Sequence, residues 1–155
     1  MAKSSRRAKQ KPVPDLIRRH RALDATMQKF AGKELKLGEA DCVKLVRFHL
    51  VKMGHRRLPK ATGYSSPGEA KKVLKSMGFR NLEQLFDSLL PRITPAFMLP
   101  GDVALVQAEE GEPAWQLGTV VISIGRKFRG WHPDEPRLAI IEPIVERPYL
   151  AAWRA

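Results

Sequence analysis

Apolar positions along the chain repeat at two different periods, and the change falls near Pro100. Before it, helical spacing dominates. Asp15 is suited to cap a helix that begins at Leu16, with Ile17, Leu23, Met27 and Phe30 as its apolar positions and Gly32 as its stop. This helix is expected to carry Arg18, Arg19, Arg21 and Lys29 on its outer face. After a short link, Asp41 reads as the N-cap of a second helix with Cys42 as its first residue. Cys42, Leu45, Val46, Leu50 and Met53 follow at helical spacing, and Gly54 ends the run. Ser66-Pro67-Gly68-Glu69 is a capping box with proline at the first helical position, opening a helix through about Met77. Asn81 to Gln84 opens a shorter one that buries Leu82, Leu85, Phe86 and Leu89 and closes at Pro91.

Beyond Pro100 the pattern suits strands. Asp102 to Gln107, Leu117 to Gly125 and Leu138 to Ile144 are the three expected. The acidic loop Glu109-Glu110-Gly111-Glu112 would join the first two as an antiparallel hairpin. Helices first and strands last argue for an α+β domain, with helices packed on one side of an antiparallel sheet. That domain spans residues 15–155, and residues 1–14, rich in Lys, Arg, Ser and Pro, form a basic flexible arm.

Composition narrows the function classes. A 155-residue chain with 43% hydrophobic residues can bury a real core. No apolar run approaches the roughly 18 residues that cross a bilayer, and no apolar stretch follows the basic N-terminus, so no membrane span or Sec-type signal peptide is expected. Cys42 is the only cysteine, which excludes an intrachain disulfide. His20, His49, His55 and His132 show no metal-ligand spacing, so neither a metal nor another cofactor is expected. The net charge is +12 and uneven: through Lys29 there are nine Lys/Arg against two Asp/Glu. Lys3, Arg6, Arg7, Lys9 and Lys11 of the arm, with Arg18, Arg19 and Arg21, are the candidate binding residues. They suit an acidic protein surface, nucleic acid or an anionic membrane, or simply a solvated tail.

A cysteine at a helix N-terminus has a chemical meaning. The helix dipole and free N–H groups favour thiolate, and the same N–H groups can hold the oxyanion of an acyl intermediate. A thiol peptidase also needs a base within hydrogen-bond reach and a group that orients it. Asp41 opposes the thiolate if its carboxylate points at the sulfur, and is harmless if it caps the helix. The bland alternative for Cys42 is a small buried apolar side chain.

These segments resemble a known family. Leu37-Gly-Glu-Ala-Asp-Cys-Val-Lys-Leu-Val is similar to the Asp-Cys-Ser-Gly-Leu-Val helix start of NlpC-type cell-wall cysteine peptidases, papain-like enzymes that cut peptidoglycan stem peptides. Pro100-Gly101-Asp102-Val-Ala-Leu-Val resembles their Pro-Gly-Asp-Leu-Val strand, and Leu117-Gly118-Thr119-Val120 through Gly125 resembles their His-Val-Gly-Ile-Tyr-Ile-Gly strand. A short phage-encoded branch carries Trp-Gly-x-x-Asp-Cys, a Tyr-containing loop and a final Ala-Trp-Arg. Here these become Leu37-Gly38, Tyr64-Ser65 and Ala152-Trp153-Arg154. The resemblance covers roughly Ile17 to the C-terminus and implies a papain-like fold.

The departures concern the chemistry. Gln116 stands where the resemblance puts the catalytic histidine, and an amide accepts no proton near neutral pH. Val43 and Lys44 replace the serine and glycine after the family cysteine. His49, seven residues after Cys42, lies about 10 Å along the helix axis, beyond hydrogen-bond reach. His132 is a weak alternative base, otherwise a turn histidine beside Pro133, and His20 and His55 read as exposed. Trp115, Trp131 and Trp153 are expected to pack against the sheet. Phe128-Arg129-Gly130-Trp131 could stack on a base, although a core role suits it better.

The expected function is therefore that of a bacteriophage virion structural or assembly protein, associated with the tail or its tip, that uses a degenerate peptidase fold to bind neighbouring virion proteins. It would be found in the phage particle, and in the host cytoplasm during assembly. One rival is a cysteine endopeptidase that opens peptidoglycan during DNA entry. Another is a basic virion protein associated with nucleic acid through the arm.

Overall fold

A computed structural model of the chain describes residues 11–107, 117–132, 135–142 and 149–155; of Tyr149 and Leu150 it describes the backbone alone. Four helices come first: α1 (Asp15–Phe30), α2 (Cys42–Met53), α3 (Pro67–Ser76) and α4 (Leu82–Leu89). Six strands follow: β1 (Arg92–Ile93), β2 (Val103–Val106), β3 (Thr119–Ser123), β4 (Phe128–His132), β5 (Glu135–Ile141) and β6 (Tyr149–Trp153), with a 3₁₀ turn at Pro95–Phe97. They form one sheet in the order β1-β6-β2-β3-β4-β5, antiparallel at every pairing. The α+β architecture and the hairpin between the first two expected strands match the sequence reading.

Local chemistry sets the helix ends. The side chain of Asp41 accepts from the Lys44 N–H, that of Ser66 from Glu69 and that of Asn81 from Gln84, as the capping patterns require. Helix α1 departs from expectation. Its N-cap is Pro14, without a side-chain cap, and Asp15 is instead the first helical residue, paired with Arg18 and Arg19 one turn on. Ile17, read as a core position, is exposed, while Arg19, read as solvent-facing, is 2% exposed. The helix turns its Arg19, Ala22, Thr26 stripe inward because Arg19 finds carboxylates there.

Alternation along the strands divides the sheet into two faces. Val103, Leu105, Val120, Ile122, Trp131 and Trp153 pack with Leu45, Val46, Leu50, Leu85 and Phe86 of the helices. Ala104, Val121, Phe128 and Ala152 form a smaller cluster on the opposite face. Trp131 meets Phe30 edge-on at 6.2 Å between centroids and donates its indole N–H to the Lys33 carbonyl at 3.1 Å. Trp153 lies against Phe86 and donates to Asp87 at 2.9 Å. Both tryptophans thus pack on the sheet as expected, and Phe128 and Trp131 are core residues; Trp115 lies outside the described residues.

Three strands escaped the sequence reading. β1 has two residues, β4 contains Gly130, and β6 carries the Ala151-Ala152 pair, so none shows a β-branched run. The strand expected at Leu138 begins three residues earlier, at Glu135, because its pairing to β4 starts there.

Candidate functional site

Cys42 opens α2 and lines an apolar cleft of about 50 Å³. Its walls come from the Leu37–Val43 turn, Ala61, Tyr64, Ala70, Val73 and Leu74 of α3, Leu82 and Leu85 of α4, and Leu117-Gly118 before β3. The turn is held by one carboxylate. Asp41 Oδ1 accepts from the Lys44 N–H at 2.9 Å, and Oδ2 accepts from the Gly38 N–H at 2.8 Å and the Tyr64 hydroxyl at 2.7 Å. Gly38 has φ 84°, and a Cβ there would sit 2.1 Å from the Tyr64 carbonyl oxygen, so only glycine lets the two segments close. The motif Gly38-x-x-Asp41-Cys42 with Tyr64 is thus a structural clasp that sets the position of Cys42.

The electrostatics of this clasp oppose a nucleophile. Cys42 keeps partial exposure, yet burial of its sulfur, reinforced by the charge of Asp41, pushes the thiol up to about 12. Backbone hydrogen bonds at Val120, Val43 and Cys42 itself pull the other way and do not prevail. Burial and the same carboxylate raise Tyr64, so its hydroxyl stays protonated and donates. The helix terminus that favours a thiolate in other settings is here occupied by a carboxylate cap.

No described residue that lines the cleft is a histidine. His132 ends β4, opposite Glu135 of β5. His49 is fully buried, and its Nε2 lies 2.9 Å from the Gly101 carbonyl and its Nδ1 3.4 Å from the Thr26 hydroxyl. His20 is exposed beside Asp24, whereas His55 is half-buried and depressed by that burial and by Arg18. Gln116, the residue at the expected base position, lies outside the described residues, as do Lys3, Arg6, Arg7, Lys9 and the acidic loop from Glu109 to Glu112. Of the other candidate binding residues, Lys11, Arg18 and Arg21 are exposed and Arg19 is not.

Arg19 instead centres a buried polar cluster that the sequence reading missed. Its Nη1 donates to Asp102 Oδ1 at 2.8 Å and to the Pro100 carbonyl at 3.1 Å, its Nε to Asp15 at 2.6 Å and its Nη2 to the Ala155 carbonyl at 3.0 Å. Asp102 is fully buried and also accepts from the backbone N–H groups of Leu99 and Ala155 and from Arg154. Burial opposes the Arg19 charge, but the two carboxylates outweigh it and hold the guanidinium above its usual range. His49 beside it is held below its usual range by burial, which disfavours its charged form. Gly101, at φ 91°, brings its carbonyl to this histidine. The Pro100-Gly101-Asp102 motif therefore fastens β2 to α1 and α2. A visible signal was the spacing Asp15, Arg19, Ala22, Thr26, which lays an acid–base pair along one helical stripe.

Among the described residues no group of three His, Cys, Asp or Glu side chains is placed to hold a metal ion, and no helix is long and apolar enough to cross a membrane. No characterised protein matches the sequence. Residues 16–154 match a family described as a domain of unknown function, DUF6950. That match takes in the Cys42 cleft, the Arg19–Asp102 cluster and every strand, and the chain belongs to the DUF6950 family.

Proposed function

We propose that this chain is a bacteriophage virion structural or assembly protein of the tail region, in which a papain-like, NlpC-type fold serves as a protein-interaction module and not as a hydrolase. The observation that carries the non-hydrolytic reading is the state of Cys42. Its thiol is held protonated by burial and by the Asp41 carboxylate, with a pKa of about 12. A thiol that far above neutrality attacks amides too slowly to serve as a peptidase nucleophile. The virion role and the fold relationship rest on the order of the Gly38-x-x-Asp41-Cys42, Tyr64, Pro100-Gly101-Asp102 and Ala152-Trp153-Arg154 motifs. The basic residues supply complementarity to an acidic neighbour in the particle.

Three measurements test this. Iodoacetamide near neutral pH should label Cys42 slowly until denaturant is added. Purified murein should remain intact with the wild-type protein. Mass spectrometry of purified particles from a phage that encodes the chain should find it there. Murein digestion that stops in a Cys42→Ala variant would establish the peptidase reading instead, and particles lacking the chain would remove the virion role.

A further inference from the structure

A second concavity, separate from the Cys42 cleft, runs between the end of α1, the outer side of α2 and the loop around Lys60. It measures about 280 Å³, several times the cleft. Lys29, Lys44, Arg47 and Lys60 line it, with Lys52 at its flank. The Lys29 and Lys52 ammonium groups lie 4.9 and 5.4 Å from the centroid of the Phe48 ring, so two cations share one aromatic ring. Lys44 and Arg47 are each steadied by one loop carbonyl, of Ala61 and Pro59. Among the described residues none of these five cations is paired with a carboxylate, and the acid on the groove, Glu39, is already bound to Lys36 at 2.8 Å.

Like charges lining one groove repel, and the Phe48 ring offsets that only in part, for Lys29 and Lys52. The arrangement is complete when an anion enters. The lining also decides which kind of anion. Phe48 and Val51 contribute carbon surface, and Val51 is 44% exposed. A phosphate polymer would place its charged oxygens against that carbon, and a base stacking on Phe48 would have to displace Lys29 or Lys52 from the ring. A peptide that interleaves acidic with aliphatic side chains satisfies both parts of the lining.

We infer that this groove is a docking site for an acidic, apolar-interleaved peptide segment of a partner protein. The inference rests on the interaction-module reading and names where the partner sits. The probes are a fluorescein-labelled peptide alternating glutamate with leucine, a poly-glutamate of the same charge, and oligodeoxythymidylate. Anisotropy is read on the full chain at about 0.1 M salt, where only nearby charges remain unscreened. The alternating peptide binds more tightly than poly-glutamate, and Lys29→Glu with Lys60→Glu weakens it about tenfold or more, as loss of complementary interfacial charge should. Lys29→Arg with Lys60→Arg retains binding. Circular dichroism melts establish that each variant is folded, and Lys52→Glu, on an exposed helix position, provides a second reversal.

Unchanged peptide affinity in the folded reversal variants overturns the assignment. So does equally tight oligodeoxythymidylate binding lost with the same reversals, which would make the groove a nucleic-acid site. Loss of peptide binding in Lys3→Glu with Arg6→Glu would place the contact on the arm. Murein digestion by the wild-type protein would sink the module reading and leave the peptide result standing. Failure of the groove variants to change binding would do the reverse.

Discussion

Tyr64 donates its hydroxyl proton to Asp41 at 2.7 Å, across 23 residues of sequence, and that bond joins the loop before α3 to the first turn of α2. The Asp41 oxygen that takes it also takes the Gly38 N–H, so one buried atom fixes three segments. Tyr64→Phe keeps the ring and deletes the donor. A hydrogen bond to a charged acceptor contributes about 1.5–3 kcal/mol, and urea unfolding of the variant should show a loss in that range.

Asp41 also contributes to the high thiol pKa, second to burial. Asp41→Asn preserves a capping oxygen and removes the charge. Cys42 alkylation in this variant should run several-fold faster than in the wild type at the same pH, because a larger thiolate fraction is present. Equal rates would mean that access alone limits the reaction.

The Arg19–Asp102 pair is buried on both sides, and removing one partner leaves the other charge only partly compensated, Asp102 by Arg154 and Arg19 by Asp15. Arg19→Met should cost about 3–5 kcal/mol in chemical denaturation. Arg19→Met with Asp102→Leu should recover part of that loss, since no buried charge is then left without its partner, although the backbone donors at Leu99 and Ala155 lose their acceptor. A double variant as unstable as the sum of the singles would show that Asp102 acts through its backbone bonds alone.

His49 gives a pH dependence with a defined sign. Its folded-state pKa is depressed from 6.5 by burial, so below that value the unfolded chain binds a proton that the native chain refuses. The stability is therefore present above about pH 6.5 and is lost progressively as pH falls toward the folded pKa. The facing groups are Thr26, the Gly101 carbonyl, Arg19 and Asp102. Urea midpoints at about pH 8 and about pH 5 should differ, and His49→Gln should reduce the difference over that window, leaving the part contributed by His55.

How much of this was legible in the sequence differs by feature. The starts of α2, α3 and α4 were, because Asp41, Ser66 and Asn81 act on backbone groups within three residues of themselves, whereas Asp15 does not cap α1 and instead pairs with Arg18 and Arg19. The antiparallel pairing of β2 and β3 was, because Val103 and Val106 mark the first strand and an unbroken β-branched run from Thr119 to Ile122 marks the second. Arg19 was not. An arginine is solvent-facing by default, and its burial depends on Asp102, 83 residues away. Nor was the groove at Phe48, since its cations come from two helices and a loop, and only the packing of α1 on α2 brings Lys29 beside Lys52. The thiol state of Cys42 was half legible. Its place at the head of a helix could be read, but the direction of the neighbouring carboxylate, toward Gly38 and Tyr64, required the fold.

β6 is the sixth strand along the chain and lies between the first and second, with Trp153 facing Arg92 on one side and Val103 on the other. During synthesis the helices and strands β2 to β5 emerge while this slot is still vacant, and two bare strand edges wait for the same late segment. Until residues 149–153 leave the ribosome, those edges offer unpaired N–H and carbonyl groups to any passing extended peptide. The sheet is thus completed at its interior by its last strand, and a chain truncated before Tyr149 would keep β1 and β2 as two open edges in place of a finished core.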